Sequence, residues 1–304
     1  MEKRLTRTEM LFSLGFIFML ILAMGAFFVG LKIGSDKTEA KYVPSKKLNT
    51  EAAAKVTAYE QQDLVSFYHT VFLPYREFMN EWVAEIDSMK AGLTGDPASK
   101  LKELSSLADK QYEAASKAVV SNVSPLLVDA QTKILKSLKL YSQAMDRHRS
   151  TAETGESTAV IAAIGKDVYY REALEFSLQS QEDYYSAMLK WNASIDPDLP
   201  EDFIAPKLME IADWKSQPLI IKNKLVAEEL HSRMLLTAYY PQDLTARIDQ
   251  FISSGQASNM KIKTVSSIID LLVSTDAVRT DDFVNFKSRY YQDAVLPLLP
   301  FFIS

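Results

Sequence analysis

Cysteine is missing from all 304 residues. Its absence excludes disulfide staples, thiolate metal ligands and thiol nucleophiles together. Histidine is almost as scarce: only His69, His148 and His231 could serve a zinc site or an imidazole base. Of the nine glycines, Gly15, Gly25, Gly30 and Gly34 fall in or beside one apolar run, and no glycine-rich phosphate loop occurs. Positive charge is also short. Residues 1–34 hold four Lys/Arg and two Asp/Glu, leaving 30 against 37 and a net charge of −7 for the rest. Phosphate binding needs a basic face, so nucleic acid is not an expected partner. Strand signals are missing too, because no segment alternates apolar and polar residues between turns.

What the chain does have is an uncharged run from Leu11 to Leu31. At ~1.5 Å rise per residue it spans roughly the ~30 Å of bilayer hydrocarbon. A cleavable signal peptide has an apolar core of only ~7–15 residues. Here Phe27, Phe28, Val29 and Leu31 continue past Ala23-Met24-Gly25, the one small-x-small candidate, so an uncleaved anchor is the expectation. A basic ten-residue leader before that core is the layout of a signal anchor. Lys3, Arg4 and Arg7 precede it, but Lys32, Lys37, Lys41, Lys46 and Lys47 follow it, and this count does not favour an inside N-terminus. The leader and the lack of cysteine set the expected topology, with residues 1–10 cytoplasmic and the bulk of the chain extracytoplasmic. Ala26, Gly30 and Gly34 recur every fourth residue, the small-residue spacing of packed transmembrane helices, and offer a homodimer face within the bilayer. Residues 32–50 read as a polar, lysine-rich linker.

Beyond residue 50 the periodicity is helical. Leu64, Phe67, Val71, Phe78, Trp82, Ile86 and Met89 mark a first stripe, with Pro74 predicting a kink or restart. Asp96-Pro97 and Ser124-Pro125 are start signals for a second helix, striped by Leu101, Leu104, Leu107 and Ala108, and a third, striped by Leu127, Ile134, Leu138, Tyr141 and Met145. A fourth is expected to begin at Ser157 and to carry Ile161, Ile164, Val168, Phe176, Tyr184, Met188 and Trp191 on one side. Residues 51–194 thus read as a four-helix-type bundle, 195–217 as a proline-rich connector, and 218–304 as a small docked helical subdomain. Its expected helices are 218–239, 241–253, 262–273 and 280–295. The fold class is all-α: one transmembrane helix, an elongated bundle and a smaller C-terminal helical part.

Chemistry is hard to find. Glu228-x-x-His231 puts a carboxylate and an imidazole on one helix face, as di-iron bundles do, but neither His69 nor His148 has Glu three residues earlier. A solvated acidic face is the reading taken, with no metal, cofactor or catalytic residue assigned. The pairs Tyr169-Tyr170, Tyr184-Tyr185, Tyr239-Tyr240 and Tyr290-Tyr291 are expected to set one ring in the core and one at its edge, since helix neighbours point ~100° apart. The C-terminal end carries Leu296, Leu298, Leu299, Phe301, Phe302 and Ile303, too apolar for a frayed tail, and is expected to be core or a docking surface. The function these features support is a membrane-anchored helical binding or scaffold protein whose partners are the bilayer and another membrane or envelope protein. The alternatives are a ligand-sensing bundle acting through a partner and an envelope-associated enzyme.

Overall fold

A computed structural model describes residues 58–303, so the anchor run, the linker and the Ala26, Gly30, Gly34 face lie outside the described residues. Among the described residues the protein is all-helical and bundle-like, and contains no strand. Glu210 and Thr264 form an isolated antiparallel bridge. No described helix is long and apolar enough to cross a membrane.

The first stripe forms α1 (Gln61–Phe67), a π-helical turn (Tyr68–Phe72) and α2 (Leu73–Lys90) without a break. The restart expected at Pro74 does not occur. The Leu73 N–H donates to the Tyr68 carbonyl five residues back, and this widened turn comes immediately before the proline ring. A regular turn would have set that ring against the carbonyl of Thr70, so the extra residue accommodates Pro74 inside a continuing helix.

The second start signal works as read. Asp96 Oδ1 accepts from the Ser99 N–H at 3.0 Å and Pro97 opens α3 (Pro97–Ser116). Ser124 precedes α4 (Pro125–Ala152) but does not cap it. Its hydroxyl donates to the Ala58 carbonyl at 2.6 Å and lies 3.1 Å from Asp63 Oδ2, tying the start of α4 to the approach to α1. The expected fourth helix is two helices, α5 (Ser157–Lys166) and α6 (Val168–Ile195). Between them Asp167 is extended, and its carboxylate accepts from the N–H groups of Tyr169 (2.7 Å) and Tyr170 (3.3 Å). A short acceptor side chain stops one helix and caps the next. Val168, placed on the expected stripe, is consequently half exposed at the first turn of α6. Helix α5 begins at Ser157 as expected, without a side-chain capping bond.

Helices α3, α4 and α6 approach closely because their shared faces are lined with small residues. Ser105 pairs with Ser142 (3.1 Å) and Ser137 with Ser177 (2.6 Å), and Ala108, Ala130, Ala144 and Ala187 are buried beside them. The large side chains Tyr141, Tyr184, Phe67, Phe72 and Phe78 fill the remaining space.

The C-terminal part comprises α7 (Ile211–Ser216), α8 (Leu219–Ser232), α9 (Pro241–Ser253), α10 (Gln256–Asn259), α11 (Val265–Ser274), α12 (Asp282–Tyr290) and α13 (Pro300–Ile303). Helix α8 stops at Ser232 rather than Tyr239, because Met234 takes a left-handed conformation and the Leu235 N–H bonds back to the Leu230 carbonyl. Helix α12 stops at Tyr290 rather than Val295. At its start Asp281 is left-handed and caps nothing with its side chain, while Asp282 accepts from the Arg279 N–H at 2.7 Å. Helix α8 packs against α6 and α9 and buries residues Leu219 to Ala227 on every side.

Candidate functional site

A cleft of about 470 Å³ lies between the bundle and the C-terminal helices. Helix α2 contributes Trp82, Val83 and Ile86 and α6 contributes Tyr170 and Leu174. The facing wall is the irregular segment Met234–Tyr239, with Val273, Asp276, Val278 and Arg279 from the exit of α11 at one end. Its floor is aromatic: Trp82 packs 5.5 Å from both Tyr141 and Tyr170. Burial pushes the Tyr170 phenol up, and Tyr239 is pushed to about 12 by burial and then by the charges of Asp276 and Asp243. Neither phenol ionises near neutral pH, so both enter the cleft as neutral amphipathic rings.

Two features single this cleft out. Its charges sit at the mouth and are paired with each other: Lys90 with Asp87 at 3.1 Å and Arg279 with Asp276 at 3.3 Å, all four side chains at least 60 % exposed. Its wall also holds unusual backbone, because Met234 (φ 50°) and Asp276 (φ 48°) are left-handed residues with side chains. Each terminates its helix as the left-handed residue of a Schellman motif, a place where glycine is the unstrained choice. Such strain persists only where surroundings hold it, and it concentrates at binding sites.

Arg76 fixes the wall. This side chain is 3 % exposed, donates to the carbonyls of Thr237 (3.3 Å) and Ala238, reaches Asn80 Oδ1 at 3.2 Å, and lies 4.4 Å from the centre of the Tyr240 ring. No described carboxylate pairs with it. Its charge is met by carbonyl dipoles and an aromatic face, which holds residues 237–240 against α2.

The histidines lie elsewhere. His231 sits between two carboxylates of α6, with Nδ1 2.6 Å from Glu182 and Nε2 3.0 Å from Glu175. Burial draws its pKa down, but the hydrogen bonds to Glu175 and Glu182 outweigh that and raise it. The carboxylates that meet His231 thus come from α6, and Glu228 instead pairs with Lys224. Burial raises the Glu228 carboxyl despite that pairing. His148 lies 3.1 Å from Asp167, and His69 is exposed with its ring edge-on to Tyr68. Among the described residues no group of three or more His, Asp or Glu side chains is arranged to hold a metal ion.

The tail residues divide. Leu299, Phe301 and Phe302 are buried, Phe301 stacking 4.9 Å from Tyr240 and Phe302 meeting Phe283 edge-on at 5.6 Å. Leu296 is half-buried, while Leu298 and Ile303 are exposed. Of the tyrosine pairs, Tyr290-Tyr291 keeps one buried ring and one edge ring. Tyr184 and Tyr185 depart from that expectation and are both fully buried, because α6 has neighbours on opposite sides: the Tyr184 hydroxyl reaches the Leu64 carbonyl at 2.9 Å, and the Tyr185 hydroxyl reaches Gln242. Sequence reading found Trp82 and the tyrosines but missed Arg76 and the 234–239 wall. The only local hint was Tyr239-Tyr240-Pro241 ending a helical pattern. No protein-family model, no curated protein and no solved structure matches the chain.

Proposed function

We propose that this is a non-catalytic binding protein, anchored by the Leu11–Leu31 run with its helical body outside the membrane, that takes an apolar segment of another membrane or envelope protein into the α2–α6 cleft. The observation that carries this reading is the lining of the cleft. Tyr170, Leu235, Leu236 and Tyr239 are half-buried and offer contact area over the buried Trp82, and the charged groups are confined to two self-paired ion pairs at the mouth. Aromatic anchors inside a polar rim are the usual composition of a protein-recognition pocket. The anchor and its topology rest on the length of the apolar run and on the basic leader.

Two measurements test it. A photo-crosslinking residue placed at Val83 in the full chain is expected to give a discrete adduct in intact cells, and the same residue at exposed Glu113 is expected to give none. Equal labelling from both positions removes the cleft from the reading. Protease added to spheroplasts is expected to digest the body of the protein, and protection until lysis would reverse the topology.

A further inference from the structure

We infer that a second pocket, at the N-terminal end of α8 and sharing no lining residue with the cleft, binds a soluble hydroxylated ring bearing a phosphate or carboxylate. It encloses about 650 Å³ between the end of α7, the first turn of α8, the second half of α9 and the chain leaving α12.

Its floor is fully used. Asp249 Oδ1 accepts from Trp214 Nε1 at 2.7 Å and Oδ2 from the Tyr291 hydroxyl at 2.7 Å, while Lys222 Nζ bridges both oxygens at 3.1 and 3.0 Å. With four bonds and the buried Lys222 ammonium beside it, Asp249 is fully engaged within the floor. Its network fixes a rigid, locally neutral base.

The rim is different. Lys215 and Arg289 are exposed, and no described carboxylate forms an ion pair with either, although the chain carries a net charge of −5. Arg289 lies 5.1 Å from the centre of the Tyr290 ring. The Tyr290 hydroxyl is held 2.9 Å from Ser253 Oγ, so this half-exposed ring has a fixed orientation. Asp293 is the one rim carboxylate that opposes the two cations. Two unpaired cations beside an oriented aromatic face match an anionic group attached to a hydroxylated ring, with Gln217 and Gln292 at the rim, whose amide nitrogens bond the Asp213 and Ser288 carbonyls and so aim their amide oxygens as acceptors. The cations take the charge, the phenol ring stacks, and the polar groups meet the hydroxyls. The second pocket does not depend on what the cleft binds.

The test is calorimetric titration of the full chain in an uncharged detergent with glucose 6-phosphate, glucuronate and glucose. Saturable 1:1 heat is expected with one or both charged sugars, and none with glucose. In Lys215→Glu/Arg289→Glu the affinity is expected to fall about tenfold or more, while Lys100→Glu, at an exposed ion pair on α3, leaves it unchanged. Circular dichroism checks the fold of each variant, with Lys215→Ala/Arg289→Ala as the milder substitute. Absence of saturable heat, or undiminished binding by a folded double variant, overturns the proposal. Binding seen only to phosphatidylglycerol vesicles and not to the soluble sugars overturns it in favour of a lipid headgroup.

Discussion

Arg76 shows how one side chain joins the two parts of the molecule. A cation that is 3 % exposed without a carboxylate partner is tolerated because two carbonyls, Asn80 and the Tyr240 ring surround it. Arg76→Met is expected to cost roughly 1–3 kcal/mol by leaving those carbonyls unpaired. Arg76→Lys should recover little, since a point charge cannot reproduce the fork. Urea unfolding measures both. Titrating groups make a second prediction at this scale. Burial, then the neighbouring Asp281 and Asp282, raises Asp243 from 3.8 to about 6 against the bonds it accepts from the Phe283 and Tyr240 N–H groups. Its folded pKa exceeds its unfolded one, so its stabilising protonation is complete below 3.8 and lost as pH rises through about 6. His231, also raised, contributes fully below 6.5 and loses that contribution as pH rises through its higher folded value. Asp167, lowered chiefly because its backbone N–H and His148 bonds outweigh burial, acts in the opposite sense, its contribution being lost as pH falls through its depressed value. Melting temperature is therefore expected to fall as pH rises from about 5 through about 6 and on past 6.5, with Asp243 supplying on the order of 1 kcal/mol of the change. Asp243→Asn and His231→Gln should each flatten the curve. Asp96 was legible as a cap because proline follows it. Asp167 was not, since Gly165-Lys166-Asp167-Val168 carries no such marker and either side of it reads as helix.

At the level of elements, stripes of large apolar residues found the helical segments of the bundle, and the Asp96-Pro97 and Ser124-Pro125 start signals gave the N-terminal ends of α3 and α4. The errors share a cause. Periodicity identifies a face, whereas the π-helical turn before Pro74, the split at Asp167 and the early end of α8 at Met234 depend on single backbone choices that a stripe does not register. Amphipathic reasoning also misreads helices with neighbours on more than one side. In α6 both Tyr184 and Tyr185 are buried, and α8 hides Lys222, Asn223 and Lys224 among its apolar residues. The close α4–α6 contact is set by serines, which look solvent-facing in sequence. Ser137 and Ser177 meet at 2.6 Å with no exposed surface on either. Ser177→Leu is expected to force these helices apart at a cost of about 1–3 kcal/mol or more. Ser177→Ala keeps the spacing and loses only the hydrogen bond, about 1 kcal/mol. Thermal unfolding that ranks Leu far below Ala supports a seam set by side-chain volume; equal losses would show that the bond itself matters more.

For the molecule as a whole, the described residues 58–303 form one compact unit. Side chains reach across it at several separate points: Arg76 to Thr237, Tyr185 to Gln242, Asn192 to Val295 (2.7 Å) and Phe301 onto Tyr68 (5.4 Å between ring centres). The bundle face of α6 and the all-round burial of α8 therefore belong to one continuous core, even though the proline-rich connector looks like a boundary in sequence. Continuity of the core makes unfolding cooperative, because neither half keeps its apolar surface covered when the other opens. A fragment of residues 57–304 is expected to melt in a single calorimetric transition, with calorimetric and van't Hoff enthalpies in agreement, and to show no change on adding a chelator. A fragment ending at residue 217 should lose that transition, since it leaves Tyr185 and the Phe72 side of the core without Gln242, Tyr240 and Phe301. Phe302→Ala supplies a milder probe of the same coupling. Its ring is fully buried against Phe283 and Phe301, so truncation should cost about 3–5 kcal/mol and lower the one transition as a whole. Two resolved transitions, with only the upper or lower one moved by Phe302→Ala, would show that the C-terminal helices melt independently of the bundle.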